Sequence, residues 1–394
     1  MKISVAVICF LVPFLATSQK SDAVIQFGES LRFHSEILNE NREVWVYLPP
    51  NYNDTYHQPQ DYPVLYVLDG DAHFQSVSGM IQILGAGVNG TYVIPEMIVV
   101  AVLNTNRERD LAPHTDHAKN PSASGRMAAA PVTRFLRFIR EELIPQIETR
   151  YRSSELRMLI GQSLGGLTVI NALLSIPNTF NAYVAIEPSL WWEDKVLLNY
   201  AKSYFAQTDL SGTYLFLAQA NTLNPKDSVN LHHQSIKEFL TILETRNRSK
   251  LKWKYRYYEH DTHGSVALAA EYDALRFVFR GYHARYETIN GPQDLEHHYT
   301  LYSDELKMAF IAPERVVQRF GTLAGHYGQH QLARQYYQMN TAHYPRSASA
   351  HVDLGNLLLK EGKKAEALQL FKKALQLDAD NPFLRSKVTT LEKK

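Results

Sequence analysis

Short apolar runs separated by longer amphipathic stretches dominate the chain from about residue 24 to residue 282. Pro63–Leu68 and Met97–Leu103 are almost wholly apolar, too short for helices and suited to strands buried on both faces of a sheet. Met158–Ile160, Ala182–Ile186, Thr213–Ala218 and Lys252–Glu259 continue the series. Ahead of them, Ser30–Ile37 and Arg42–Leu48 alternate around the turn signal Asn39-Glu40-Asn41, which predicts an opening hairpin ended by Pro49 and Pro50. Helical patterns fill the intervals: Val132–Arg150, Leu164–Ser175, Glu193–Phe205, Val229–Arg246 and Ser265–Tyr282. Strand alternating with helix predicts an α/β fold, a mostly parallel central sheet with helices on both faces.

The strand pattern stops near His283, and the remainder reads as helices. Shifting this part by 34 residues lays Gly321 on Gly355, Gly328 on Gly362, Ala333 on Ala367 and Tyr337 on Phe371. The small positions let two antiparallel helices approach, and the larger ones fill the space between them. This spacing resembles the tetratricopeptide (TPR) repeat, with units at about 314–347 and 348–381. The first unit departs from the pattern at Asn340, where a small residue is expected, but keeps Pro345; the second has Ala379 there instead. Two repeats bury too little core alone, so flanking helices are expected around Asp304–Ala309 and Ser386–Leu391. The expected division is residues 1–18 as a signal peptide, 19–283 as the α/β domain and 284–394 as the helical domain.

The signal peptide rests on Met1-Lys2, an apolar run from Ile3 to Ala16, and small residues at Ala16 and Ser18. It predicts a periplasmic or secreted protein, and the run is too short to span a bilayer. The only cysteine, Cys9, falls inside it, which excludes a disulfide scaffold and cysteine catalysis. With 41 basic and 40 acidic residues the formal charge is +1, so nothing favours nucleic acid or an anionic membrane surface as partner. Loss of Lys2 would leave the mature chain formally neutral. A hydrophobic fraction of 45% argues against general disorder.

The strongest chemical signal is Gly161-Gln162-Ser163-Leu164-Gly165, followed by Gly166, with a strand pattern before it and a helix pattern after it. This is a G-x-S-x-G nucleophile elbow. A direct turn from strand to helix strains the serine backbone, and small neighbours leave room for it. Leu164, at the start of the helix, supplies a backbone N–H for a developing oxyanion. The plainer alternative, a turn or cap serine, does not need this context.

A serine nucleophile needs a base and an orienting acid, in the chain order serine, acid, histidine. His263 stands after the last strand and before the last helix of the α/β region, in a loop loosened by Gly264. His260 is the competitor. Two acids are candidates: Glu187, which ends the strand beside the nucleophile, and Asp227, further along the loop after Ala218. A buried carboxylate is costly without a partner, and an imidazole would be one, so Glu187 is preferred. A second oxyanion donor is expected from Gly70 or Asp71. Arg107 and Arg109 are candidates for an anionic or catechol-like substrate, with an internal Arg109–Asp110 pair as the alternative. Trp191 and Trp192 form either a stacking wall or core. The pairs His232-His233 and His297-His298 point apart on a helix, so no metal site is expected, and the chemistry requires no cofactor.

These residues resemble the esterase family of α/β-hydrolases that includes enterochelin esterases, S-formylglutathione hydrolases and mycolyltransferases. The likeness runs over roughly residues 25–282, through Tyr66–Gly70, Asn104–Asp110, the elbow, Pro188–Trp192 and Thr262–Ser265. The tryptophan pair and the Asn-Thr-Asn-Arg run look most like the periplasmic siderophore-esterase-like branch. The resemblance implies a serine carboxylesterase acting on a small or siderophore-like ester, with nucleophile, base and oxyanion donor at Ser163, His263 and Leu164. The missing acid directly after Ala218 departs from the family pattern. Rival readings are a TPR-mediated scaffold on an idle hydrolase fold, and an acyltransferase.

Overall fold

The structure, a computed structural model, describes residues 26–86, 92–113, 133–246 and 249–393. The expected signal peptide and Cys9 lie outside the described residues. The α/β region follows the order β1 (Glu29–Ser35), β2 (Glu40–Tyr47), β3 (Tyr62–Val67), α1 (Gly70–Gly85), β4 (Ile98–Val102), α2 (Arg107–Leu111), α3 (Arg134–Phe138), α4 (Ile144–Arg150), β5 (Ser153–Gln162), α5 (Leu164–Ser175), β6 (Ala182–Ile186), α6 (Trp192–Gln207), β7 (Tyr214–Ala220), α7 (Leu231–Arg246), β8 (Lys252–Tyr258) and α8 (Val266–Val278).

The eight strands form one sheet in the order β1-β2-β4-β3-β5-β6-β7-β8. The opening hairpin is antiparallel, with Ser35 opposite Glu40, and β2 runs antiparallel to β4. From β4 to β8 every pair is parallel. Strands β3, β4 and β6 are buried at every position, as their unbroken apolar runs require. One apolar layer lies under α3–α7 and the other under α1 and α8. This is the α/β fold expected, a mostly parallel sheet followed by a helical region.

The differences are local. The helix expected over Val132–Arg150 starts at Arg134 among the described residues and contains a π turn at Ile139–Leu143 just before Pro145, which has no N–H to donate. Two helices, α1 and α2, occupy stretches that read as turn and charged loop. The flanking helix expected around Asp304–Ala309 is instead α9 (Pro292–Leu306), ended by left-handed Lys307. Its buried stripe of Leu295, Tyr299, Tyr302 and Leu306 has helical spacing, but the tyrosines and histidines within it mask the pattern.

Five more helices complete the chain: α10 (Glu314–His326), α11 (His330–His343), α12 (Ala348–Lys360), α13 (Lys364–Leu377) and α14 (Pro382–Glu392). The positions related by 34 residues are equivalent in packing. A Cβ on Gly321 would meet the Tyr337 ring at 2.6 Å, and one on Gly355 the Phe371 ring at 3.2 Å. Gly328 and Gly362 both take positive φ between the paired helices, a conformation that costs glycine little. Helix α14, rather than Ser386–Leu391 alone, closes the end.

The apolar core does not break at His283. The layer beneath α8 continues through Phe279 and Tyr282 into Leu295, Tyr299, Tyr302, Val317 and Phe320. Each fully buried apolar side chain contributes roughly 1.5–3 kcal/mol, so the stripe on α9 alone rivals a domain's net stability of about 5–15 kcal/mol. A chain truncated after His283 is therefore expected to aggregate or melt far below the full chain; a soluble truncation with an unchanged melting temperature would contradict this packing.

Within the helical region, Asp353 on α12 accepts a hydrogen bond from Gln318 Nε2 at 2.8 Å, and burial pushes its carboxyl up to about 6. An acid whose folded pKa is raised stabilises the protein only while protonated, and that contribution is lost as the pH climbs from about 4 through 6. Asp353→Asn should consequently gain on the wild type across this window, by at most about 3 kcal/mol. Urea unfolding at pH 4 and pH 7 measures the difference; an equal effect at both would refute it.

Candidate active site

The parallel strands all end at one edge of the sheet, where ligands bind in open α/β folds. Three residues at this edge hold left-handed backbone without being glycine: Asp69 after β3 (φ 51°), Ser163 after β5 (φ 59°) and Glu187 after β6 (φ 47°). Such conformations are costly and persist where the surroundings enforce them.

The enforcement at Ser163 is visible. A Cβ on Gly161 would lie 2.5 Å from the Gly165 backbone, and one on Gly166 would lie 2.8 Å from the Ile186 carbonyl. The elbow thus packs against itself and against β6, which the G-x-S-x-G-G run permits. Ser163 N–H donates to Ile186 O at 2.9 Å, and Ser163 O accepts from Leu167 N–H and Ser189 N–H. Leu164 is the first residue of α5, whose opening N–H groups have no intrahelical acceptor. Gly70 and Asp71 open α1 in the same way, and the chain before α1 touches the elbow: a Cβ on Gly165 would sit 3.2 Å from Asp69 Oδ2.

Glu187 is wholly buried. Its N–H donates to Ala218 O at 2.9 Å and its Oε1 accepts from Ala220 N–H at 2.7 Å. Its Oε2 lies 3.0 Å from His263 Nδ1 and 3.0 Å from His232 Nε2. Burial alone would push the carboxyl up, but the hydrogen bonds from His232 and His263 and the Ala220 amide outweigh it and hold it down at about 2. An ionised carboxylate only accepts, so both histidine nitrogens facing it carry protons and His263 keeps Nε2 free when neutral. A depressed carboxyl stabilises the fold above the ordinary carboxylate range, and that contribution falls away as the pH drops from about 4.5 towards 2.

His263 lies in the loop between β8 and α8, and its carbonyl accepts from the side chain of Gln162, next to the elbow. Its side chain is 45% exposed, open to a substrate. Among the described residues the Ser163 hydroxyl has Ser189 Oγ as its partner, at 3.5 Å, and makes no hydrogen bond to His263.

The other candidates separate clearly. Asp227 does not meet His263; it is exposed and caps a turn by accepting from Val229 N–H at 2.9 Å. His260 is exposed beside Glu259. Arg107 is clamped by Asp69, with Nε–Oδ1 2.6 Å and Nη2–Oδ2 2.9 Å, and its side chain is 40% exposed at the edge of the site. Arg109 belongs elsewhere: it pairs with Glu40 and Asp110, which also hold the buried Arg42, so the internal-pair alternative describes it. Trp191 and Trp192 lie at the start of α6 with ring centroids 5.8 Å apart, Trp191 exposed and Trp192 half-buried. The backbone of Glu193, Asp194 and Lys195 behind them is left-handed.

Sequence reasoning missed His232, Ser189 and Asp69. His232 and His233 do face apart, His233 towards Gln219 at 2.9 Å, but His232 reaches a carboxylate 45 positions away, which no local spacing reveals. A cavity of about 420 Å³ lies elsewhere, between the start of β3 and α10, and its lining includes none of Ser163, Glu187 and His263.

An α/β-hydrolase sheet with an elbow serine and a histidine–carboxylate pair at its edge defines the class. The Esterase family model ("Putative esterase") matches residues 35–265, and the chain belongs to this family. Ferri-bacillibactin esterase BesA of Bacillus subtilis (strain 168) is 29% identical over 267 residues, covering 64% of this chain and 89% of the relative. Siderophore enterobactin esterase of Emericella nidulans is 32% identical over 164 residues, 39% of this chain and 52% of the relative. Among solved structures, an IroE-like serine hydrolase from Shewanella oneidensis aligns with a TM-score of 0.68 at 26% identity, covering 80% of this chain and 99% of that one. An uncharacterised protein from Capnocytophaga ochracea shares the fold over 93% of this chain and all of its own, with a TM-score of 0.58 at 17% identity.

The two candidate acids make a direct test. Glu187→Gln should lower turnover of an ester substrate by roughly 10²–10⁴-fold, as loss of a histidine-orienting carboxylate does elsewhere, in a chain that still folds but melts at a lower temperature, whereas Asp227→Asn should stay near wild type in both. The reverse ranking of the two variants would transfer the role to Asp227.

Proposed function

We propose that this protein is a serine esterase acting on siderophore-like esters. Ser163 attacks the ester carbonyl, His263 Nε2 takes its proton and later activates water, and Glu187 holds His263 Nδ1–H. The N–H groups of Leu164 and of Gly70 or Asp71 receive the oxyanion. The observation that carries this reading is the 3.0 Å bond from His263 Nδ1 to buried Glu187 beside a strained elbow serine. The serine hydroxyl must turn from Ser189 towards His263 when substrate binds; catalytic hydrogen bonds commonly tighten only in the complex.

The substrate class is carried by the relatives, named as ferri-bacillibactin and siderophore enterobactin esterases. Their activity also weighs against an idle hydrolase fold. Arg107 uses two of its five N–H donors on Asp69 and has others to offer an anionic group. Trp191 and Trp192 offer an aromatic wall. The apolar run Ile3–Ala16 supports a periplasmic or secreted location, and the 34-residue helix pairs support a TPR-like module, which serves either packing and self-association or a peptide or protein partner. No helix among the described residues is long and apolar enough to cross a membrane.

A fluorophosphonate probe should label the wild type and leave Ser163→Ala unlabelled, and the variant should lose at least about 10⁴-fold in turnover. Product analysis on a triscatecholate trilactone and on p-nitrophenyl esters, with and without an added alcohol, tests the substrate and separates hydrolysis from acyl transfer. An unlabelled wild type, or equal labelling of the variant, defeats the serine mechanism; a trilactone left intact while simple esters are cleaved defeats the substrate class.

A further inference from the structure

Ester hydrolysis as proposed uses Ser163, Glu187 and His263 and leaves His232 unemployed. His232 stands on α7, 22% exposed at its side chain, with Nε2 on the same Glu187 oxygen that His263 holds. The two rings are nearly perpendicular, at 80°, with centroids 5.4 Å apart. One carboxylate oxygen and two imidazole nitrogens thereby converge, all within 4.8 Å of one another. Two histidines and a glutamate are a donor set that suits zinc.

The geometry is close to what the ion needs. Zinc bonds of about 2.0–2.1 Å at tetrahedral angles put neighbouring ligand atoms about 3.3–3.4 Å apart, and the two carboxylate–histidine separations are 3.0 Å. These two have to open by a few tenths of an ångström, and the two histidine nitrogens, within 4.8 Å of each other, have to settle at the same spacing. The carboxylate is anchored from behind by the Ala220 amide, while both histidines are partly open to solvent, which leaves a fourth position for water.

We propose that Glu187, His232 and His263 form an inhibitory binding site for Zn²⁺, which closes the esterase when filled. The ion takes the lone pairs of His263 Nδ1 and His232 Nε2. Each neutral imidazole keeps one proton, moved to its other nitrogen, so no net proton is lost. His263 then carries its proton on Nε2 and cannot accept the one from Ser163. Cu²⁺ should bind the same donors more tightly than Zn²⁺. The inhibitory consequence rests on the esterase reading; the binding does not.

Zinc binding to the full chain, by calorimetry or competition with a chromophoric indicator, separates the two. Wild type and Ser163→Ala should each bind one Zn²⁺ with equal affinity, and Co²⁺ should give the visible bands of a tetrahedral site. His232→Ala should bind at least about tenfold more weakly, since even the loss of a residue supporting a ligand costs that much. His232→Gln, whose amide N–H reaches about where Nε2 stands and can still serve Glu187, should behave alike and guards against a folding defect, and His233→Ala should bind as wild type does. Zn²⁺ should inhibit p-nitrophenyl ester hydrolysis reversibly to EDTA, with the dose shifted upward in both His232 variants. Absence of one-equivalent binding, or equal affinity in the His232 variants, overturns the site. Binding without inhibition overturns its regulatory role, whereas failure of the fluorophosphonate to label Ser163 would overturn only the esterase reading.

Discussion

A negative charge with no access to water sits at the centre of this molecule's chemistry. Moving a carboxylate into such a place is costly unless hydrogen bonds replace the lost hydration. Glu187 obtains three, from the end of β7, from α7 and from the loop after β8. Each of those elements is thereby fixed with respect to β6, and the imidazole of His263 is set in one tautomer by the same oxygen. The cost of burial and the precision of the site are two aspects of one arrangement. It goes with backbone strain, since Glu187 holds a positive φ of 47°.

The strain is shared along the sheet edge. Ser163 and Asp69 also take positive φ on the neighbouring strand ends, with different ψ (−116° and 46°), and the glycines between them let the backbones meet. Asp69, clamped to Arg107 and within van der Waals reach of Gly165, joins the start of α1 to the elbow. The proposed oxyanion donors on α1 and α5 are therefore positioned by one local contact. Within the elbow itself, where Gly161 faces Gly165, there is room for no side chain larger than glycine's.

How much of this was legible in the sequence follows from the range of each interaction. The elbow was, because its requirement for small residues falls within six positions. The buried strands were, because a strand covered on both faces must be apolar at every position; the hairpin was too, but its turn lies at Glu36–Asn39, and Glu40 and Asn41 of the turn signal are paired residues of β2. The preference for Glu187 came from the cost of burying a charge, and Glu187 is the acid that meets His263. His232 was not legible: its partner is distant in sequence, and its neighbour His233 carries the same side chain for a different purpose. For Arg109 the sequence left substrate contact and an internal pair with Asp110 open; the pair is present, but its second acid, Glu40, is brought in by the opening hairpin and was not legible. Helix α9 was misplaced because tyrosine fills its inward stripe, and residue type alone does not tell a buried tyrosine from an exposed one.

The helical region bears on the site through α8. That helix begins three residues after His263, and the chain just beyond its end, at Phe279 and Tyr282, is embedded in the layer shared with α9 and α10. Near its middle, Glu271 bonds His73 of α1 at 2.9 Å, both residues at least mostly buried. The two helices that carry the histidine loop and the proposed oxyanion loop are thus tied to each other across the back of the sheet, and α8 is tied at its far end to the helices that follow. Movement of the C-terminal helices against the sheet is felt at α8, as it is at their other contacts, Arg315 with Asp54 and Glu305 with Lys252. A partner bound to those helices therefore has a physical route to the position of His263, made of packed side chains and one buried ion pair rather than of any contact with the substrate.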